Sequence, residues 1–229
     1  MKSSAAKFTA ALLCTLFLFV TSALAGPPLI CHAFDIGNAK SLPWISHDWN
    51  LAGTESYDTK NLAVDTLSIL DSDPTVLVHM ETLRRATLYA RKDPVAARQL
   101  LLKLITRADA SSYSPAGALA SFDLGYLVEA YKQWLGKEPS NPAEGLDGYA
   151  LVERALKFRD NDPQIEFAAA LISLNGLAAT HQGHAQKAIV GAKNDPLLAR
   201  NLSSHFWSSP SQTMAEVISS TPSVKVARQ

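Results

Sequence analysis

The sequence has few cysteines and no excess of positive charge, and each shortage excludes a class of protein. The 229 residues contain two cysteines, Cys14 and Cys31. Cys14 belongs to an N-terminal apolar run, so a disulfide-rich scaffold is excluded. Lysine and arginine together number 21, and so do aspartate and glutamate. Because a nucleic-acid binder needs a basic surface to displace counterions, we expect no nucleic-acid partner.

Beyond its N-terminus the sequence also lacks long apolar runs and familiar catalytic motifs. Its later apolar runs are shorter than the roughly 18 residues that a membrane span needs, so we expect no span after signal cleavage. It contains no G-x-S-x-G elbow, phosphate loop, dinucleotide fingerprint or H-E-x-x-H pair. We therefore expect no cofactor. Catalysis stays open, because paired acid–base carboxylates have no sequence signature.

The N-terminus has the three parts of a secretory signal peptide, which we predict to comprise residues 1–25. Lys2 and Lys7 form a short positive region, residues 8–20 are mostly apolar, and Ala23-Leu24-Ala25 supplies the small residues that a signal peptidase recognises. We expect cleavage directly after this triplet and export to the periplasm or out of the cell. An uncleaved anchor is the alternative, which the short apolar run disfavours.

Residues 26–57 show neither a helical nor a strand period over any useful length. We expect an irregular arm that lies across the rest of the protein and packs Trp44 and Trp49 against it. A structureless segment of this length in a compact protein is usually functional or covers a core. Its stretch CHAFDIGNAKSLPW is similar to the mature start of uncharacterised exported bacterial proteins, a resemblance that implies no particular activity.

After the arm, apolar residues recur with the 3.6-residue period of an amphipathic helix. The first long stripe is formed by Leu77, Met80, Leu83, Ala86 and Ala90. Similar stripes begin at Ala97 and Leu119. Shorter helices are expected at 60–70, 147–159, 163–175, 180–192 and 196–206. We predict one helical domain over residues 58–207 and a flexible C-terminal tail over residues 208–229.

A recurring dipeptide, Asp-Pro, marks the predicted helix starts at Asp73, Asp93, Asp162 and Asp195, and Ser114-Pro115 marks one more. The aspartate accepts hydrogen bonds from free amides of the first turn and offsets the helix dipole. Proline at the first helical position has no amide to lose, and it disfavours helical geometry in the residue before it. With connections of about two to six residues, neighbouring helices should form consecutive antiparallel hairpins. We therefore predict an all-α fold.

One stretch of the chain repeats weakly. Asn161-Asp162-Pro163 recurs 33 residues later as Asn194-Asp195-Pro196. The small–large–small spacing of Ala185, Ile189 and Ala192 before the second Asp-Pro resembles the second helix of a tetratricopeptide repeat. The resemblance covers about 45 residues and lacks that family's first-helix Trp and Gly-Tyr positions. It implies an array of stacked helical hairpins, and an irregular α-bundle is the alternative.

The helical architecture predicts a non-catalytic binding or scaffolding module that offers a groove to a protein or peptide partner. Tyr131 and Trp134 are the aromatic candidates for lining this groove. Arg84 and Arg85 are the charged candidates, and a solvated helix face is the alternative interpretation of this pair. Burial of aromatic and aliphatic side chains would supply the affinity, with polar contacts at the rim giving selectivity.

A second hypothesis places a metal- or thiol-dependent site in the arm, built on Cys31, His32 and His47. Thiolate and imidazole groups bind zinc or copper, and a thiol paired with a distant histidine can act as a nucleophile. The Cys-His pair is also half of the C-x-x-C-H haem attachment motif. The alternative is that Cys31 is a small buried residue, since an unpaired thiol in an oxidising compartment must be buried, bound or bridged.

Three histidines outside the arm are weaker candidates. His181 and His184 are three residues apart, which would place them on one face of a helix with ligand-like spacing. We expect both to be ordinary solvent-facing residues near a helix start. His79, which precedes Met80 in the first long apolar stripe, is expected at the margin of the core.

Overall fold

A computed structural model of the protein describes residues 27–45, 51–110, 115–136, 141–175 and 178–206. Within these ranges the regular elements are all helical and no strand occurs, so the all-α prediction is confirmed. The α-helices are α1 (Leu62–Ser72), α2 (Val76–Ala90), α3 (Pro94–Ala110), α4 (Pro115–Leu135), α5 (Gly148–Phe158), α6 (Pro163–Ser173), α7 (Ala178–Gly191) and α8 (Pro196–Phe206). Single-turn 3-10 helices lie at Thr59–Asn61 and Ala192–Asn194. None of the described helices is long and apolar enough to cross a bilayer.

The predicted Asp-Pro caps form as expected at three helix starts. Asp93, Asp162 and Asp195 each accept hydrogen bonds, through one side-chain oxygen, from two backbone amides in the first turn of α3, α6 and α8. The proline that follows is the first residue of the helix in all three cases. The cap and the proline therefore end the preceding segment and start a new helix direction.

The fourth Asp-Pro pair marks a helix start less closely. Asp73 accepts a hydrogen bond from the amide of Thr75 at 2.9 Å, which closes a local turn rather than a helical one. Thr75 is extended, with φ −76° and ψ 119°, so α2 begins only at Val76. Ser114, the remaining predicted cap, lies outside the described residues.

Neighbouring helices pack closely in pairs, most extensively α4 with α5 and α6 with α7. At the α4–α5 crossing a Cβ on Gly125 would lie 2.5 Å from the carbonyl oxygen of Gly148, so glycine is required there. α4 also packs against α2 and α3, and α1 packs against the same two helices. The described helices thus pack against one another, whereas the choice between a tetratricopeptide-like array and an irregular bundle stays a prediction.

The described part of the arm, residues 27–45 and 51–57, contains turns and extended backbone but no helix. It nevertheless belongs to the core of the protein. Leu29, Ile30 and Phe34 are buried in the same hydrophobic cluster as the apolar stripe of α2. The arm therefore covers the helices, as expected. Of its two predicted anchors, Trp44 packs against this core and Trp49 lies outside the described residues.

Candidate functional site

A buried carboxylate on α2, Glu81, holds the arm against the helices. Its Oε2 accepts a hydrogen bond from the backbone amide of Phe34 at 2.9 Å. Its Oε1 accepts from Nε of Arg85 at 2.7 Å and from Nη1 of Arg84 at 3.2 Å. A buried charge is costly unless it is paired and hydrogen-bonded. Two guanidinium groups and one amide meet that requirement for Glu81.

The two arginines also bind the arm directly. Arg84 donates from Nε to the carbonyl oxygen of Ile30 at 2.8 Å, and Arg85 donates from Nη1 to that of Leu42 at 2.6 Å. These bonds go to backbone atoms, so they fix the path of the arm rather than the identity of its side chains. A segment without helix or strand pairing obtains its backbone partners in this way.

Trp44 completes this contact between the arm and α2. The guanidinium carbon of Arg84 lies 4.5 Å from the centre of a Trp44 ring, and that of Arg85 lies 5.4 Å away, both within cation–π range. The interpretation of the arginine pair as a solvated helix face is wrong for Arg84, whose side chain is 1% exposed. The arm covers this face of α2. The apolar period within a helix does not predict that another segment buries its charged face. The next residue, Ile45, is 71% exposed.

The predicted groove residues do not form one surface. Tyr131 is fully buried, and its hydroxyl donates to the carbonyl oxygen of Ala97 at 3.2 Å. Burial raises the pKa of Tyr131 far above its ordinary value. Trp134 is partly exposed, and the guanidinium carbon of Arg91 lies 4.7 Å from its ring centre. The prediction needs correction for Tyr131 and Arg84: both are core residues, because neighbouring segments cover the helix faces that carry them.

The residues of the metal or thiol hypothesis have different environments. Cys31 is partly buried, and burial raises the pKa of its thiol more than the positive charge of Arg84 lowers it. A raised pKa disfavours the thiolate that a nucleophile or metal ligand requires. His32 is exposed, and His47 lies outside the described residues. In the part of the chain that the structure describes, no three His, Cys, Asp or Glu side chains are grouped to hold a metal ion. The hypothesis stays a prediction.

α8 also holds the arm, next to His32. The side-chain amide of Asn201 pairs with the backbone of Asp35: its Oδ1 accepts from the Asp35 amide, and its Nδ2 donates to the Asp35 carbonyl, both at 2.8 Å. Arg200 donates to the carboxylate of Asp35 at 2.7 Å. We call Phe34, Asp35, Asn201 and His205 the arm–α8 junction.

His205 supplies the aromatic part of this junction, which the sequence analysis did not single out. Its ring stacks on Phe34, with centroids 4.6 Å apart and planes 9° apart, and meets Phe167 edge-on at 5.4 Å. The ring edge of His32 lies at a centroid distance of 5.5 Å. Burial lowers the pKa of His205 to about 4. The aromatic surroundings thus hold His205 in its neutral form.

Another histidine, His79, has polar partners on both sides. Its Nδ1 lies 2.6 Å from Oδ1 of Asp123, and its Nε2 lies 2.6 Å from the carbonyl oxygen of Asp73. Arg107 donates to the other carboxylate oxygen of Asp123 and also pairs with Asp71. Burial alone would lower the pKa of His79, but the charge and hydrogen bond of Asp123 raise it above its ordinary value. The expectation that His79 lies at the margin of the core is wrong, since it is fully buried.

A third polar cluster joins α5, α6 and α7. The buried carboxylate of Glu166 accepts from Nδ1 of His184 and from Nζ of Lys187. The Nε2 of His184 lies 2.7 Å from the hydroxyl of Tyr149, which in turn contacts Glu153 at 3.1 Å. Burial, reinforced by Glu153, raises the pKa of Tyr149 to about 12, so its hydroxyl is not an activated nucleophile. The cluster therefore connects helices.

The expectation that both histidines of α7 face solvent needs correction. His184 is 7% exposed, because Glu166 and Tyr149 occupy both of its ring nitrogens. His181 is half-buried, and its Nδ1 bonds to the carbonyl oxygen of Ala170 at 2.8 Å. Each ring thus makes a contact with another helix.

No protein-family model matches the chain, and neither does a curated protein or a solved structure.

Proposed function

We propose that the mature protein is an exported helical binding or scaffolding module, and that Trp44 and Ile45 of the arm contact a protein or peptide partner. The observation that carries this proposal is the 71% exposure of Ile45, directly after an arm segment whose backbone is bonded to α2 and α8. An exposed apolar side chain on a fixed segment gains free energy when a partner covers it. The segment also loses little conformational freedom on binding.

The charges around this point favour a partner of mixed polarity. Removal of the predicted signal peptide takes away two of the 21 basic residues and none of the 21 acidic ones, which leaves a net charge of about −2. Arg85 keeps 17% of its side chain exposed beside Trp44, and Lys40 is exposed on the arm. An apolar anchor with a polar rim is the usual composition of a protein interface.

Export is supported by the N-terminal pattern of lysines, apolar run and small-residue cleavage triplet. The intact mass of protein recovered from the periplasm or medium of a bacterial host tests it directly. A chain that begins at Gly26 is expected. A full-length chain retained with the membranes would contradict this part of the proposal.

The binding site is tested by photo-crosslinking in the envelope, with a photoreactive residue at position 45 of the full chain. Position 95 on α3 is the matched control, because Val95 is also apolar and 67% exposed. We expect a discrete crosslinked partner from position 45 and none from position 95. Equal yields from the two positions would contradict the proposal.

The captured partner is then purified and its affinity measured against two variants of the mature protein. Ile45→Asp should weaken binding by at least about tenfold, because a charge replaces the apolar anchor. Val95→Asp should leave the affinity unchanged, since an acidic residue in the first turn of α3 is well tolerated. Binding that is unaffected by Ile45→Asp would overturn the assignment of this surface.

A further inference from the structure

The arm–α8 junction contains a titratable ring within an apolar contact. His205 is stacked on Phe34 and touches the edge of Phe167, so two apolar rings cover much of it. One turn earlier in α8 lies Asn201, whose side-chain amide bonds twice to the backbone of Asp35, the residue after Phe34. Phe34 and Asp35 therefore depend on two side chains that lie one helical turn apart on α8.

The hydrogen bonds of His205 determine which protonation state of its ring is stable in the closed junction. Its Nδ1 lies 2.8 Å from the carbonyl oxygen of Asn201, an acceptor, so this nitrogen carries a proton. Its Nε2 is buried and has no hydrogen-bond partner within the described residues. A second proton on the ring would place a hydrogen-bond donor and a positive charge at this unpartnered position, which is unfavourable in apolar surroundings.

The charged groups that face His205 do not compensate such a charge. From the arm, the His32 ring lies edge-on to His205 and lowers its pKa through its charge, whereas a backbone hydrogen bond with His32 raises that pKa without outweighing burial. The Cys31 thiol belongs to the residue before His32. From α2, Arg84 lowers the pKa of His205 through its positive charge. From α6, the ring in contact is the apolar Phe167, and from α7, His181 touches the neighbouring Phe206.

The carboxylates of Glu81 on α2 and Asp35 on the arm have other partners. Glu81 binds Arg84, Arg85 and the amide of Phe34. Asp35 pairs with Arg200 through its side chain. This pairing lowers the pKa of Asp35, so its carboxylate stays charged in mildly acidic solution and does not itself release the junction.

We propose that His205 makes the arm–α8 junction sensitive to pH: protonation of its ring separates Phe34 and Asp35 from α8, while the bonds from Arg85 to the arm persist. The direction of the pH dependence follows from the linkage between protonation of His205 and opening of the junction. The pKa of His205 is lowered in the closed junction, to about 4, and returns to about 6.5 when the ring is exposed. The junction is therefore fully stable above pH 6.5 and loses stability as the pH falls from there toward 4. This proposal does not depend on the binding function proposed above.

The experiment is hydrogen exchange of the full mature chain, followed by mass spectrometry on peptides covering residues 29–36 and 196–206. Rates are corrected for the intrinsic pH dependence of exchange. Linkage predicts that protection of these peptides falls by about twentyfold between pH 7 and pH 5. Peptides from α4 serve as an internal reference and should change much less.

His205→Phe is the decisive variant, because it keeps a stacked ring but removes the titrating group. Its junction should show the same corrected protection at pH 7 and pH 5. His32→Asn is the matched control: it removes an exposed neighbouring histidine and should retain most of the transition, because burial is the largest cause of the shift in His205. An unchanged transition in His205→Phe would overturn the proposal. So would wild-type protein whose junction stays protected at pH 5, whether or not the variant folds.

Discussion

Two histidines, the fully buried His79 and the partly buried His205, show how the surroundings of a ring decide its charge. His79 lies between two acceptors, the Asp123 carboxylate and the Asp73 carbonyl oxygen, so both of its nitrogens donate and the imidazolium form is stabilised. His205 has the Asn201 carbonyl oxygen and the Ser204 hydroxyl at Nδ1, but no carboxylate partner among the described residues, so burial stabilises the neutral form. Among the described residues, what distinguishes the two rings is the charged Asp123 carboxylate, which is a partner of His79 alone.

The difference sets opposite pH dependences for the two regions. The pKa of His79 is raised, so its contribution to folding is complete below its unfolded pKa of about 6.5 and is lost as the pH rises through the folded value. The pKa of His205 is lowered, so its contribution is complete above about pH 6.5 and is lost as the pH falls toward 4. The helical core and the arm–α8 junction should therefore weaken in opposite directions.

The largest expected effect comes from removing the charge that balances His79. Asp123→Asn leaves His79 and Arg107 without their shared carboxylate in a fully buried position. The free energy of unfolding in urea should fall by about 3 kcal/mol or more. The matched control is Asp71→Asn, because Asp71 pairs with the same arginine but is 63% exposed. That change should cost less than about 1 kcal/mol. Similar losses in the two variants would contradict the assignment of a charged, buried pair.

The pH dependence of His79 provides the next test. The free energy of unfolding of the wild type should decline as the pH rises above about 6.5, and His79→Gln should lose this part of the decline, because glutamine does not titrate. His32→Gln changes an exposed histidine and should keep the wild-type profile. Equilibrium unfolding at several pH values measures the slope. An alkaline slope that persists in His79→Gln would assign it to another group.

A smaller effect is expected from a change in the aromatic surroundings of His205. Phe34→Leu keeps an apolar side chain but removes the ring that stacks on His205. The loss of the ring contacts should cost about 1 kcal/mol and speed exchange in the arm. Phe158→Leu is the control, since Phe158 is 51% exposed on α5, and it should change stability by less than about 0.5 kcal/mol. Equal effects of the two changes would show that the stack does not stabilise the junction.

The helices were predictable from the sequence because their signals are local. The apolar period and the caps at Asp93, Asp162 and Asp195 act within one or two turns, and the structure places α3, α6 and α8 accordingly. Asp73-Pro74 shows the limit of such signals. The same dipeptide is present, but Thr75 is extended and α2 begins only at Val76.

The candidate site was less predictable because its contacts join distant parts of the chain. The spacing of Glu81 from Arg84 and Arg85 is visible in the sequence, but their burial depends on an arm whose contacting residue, Ile30, is 54 positions from Arg84. The contact between Phe34 and His205 has no local pattern at all. Tyr131 illustrates the same limit, since its position in the period of α4 does not predict that α3 covers its side chain.

Titration of the histidine rings by NMR tests the central comparison most directly. The full mature chain is labelled in its histidines, and His79 and His205 are assigned from the single variants His79→Gln and His205→Phe. We expect the pKa of His79 above 6.5 and that of His205 near 4. Two histidines that titrate together near 6.5, or in the opposite order, would contradict the account.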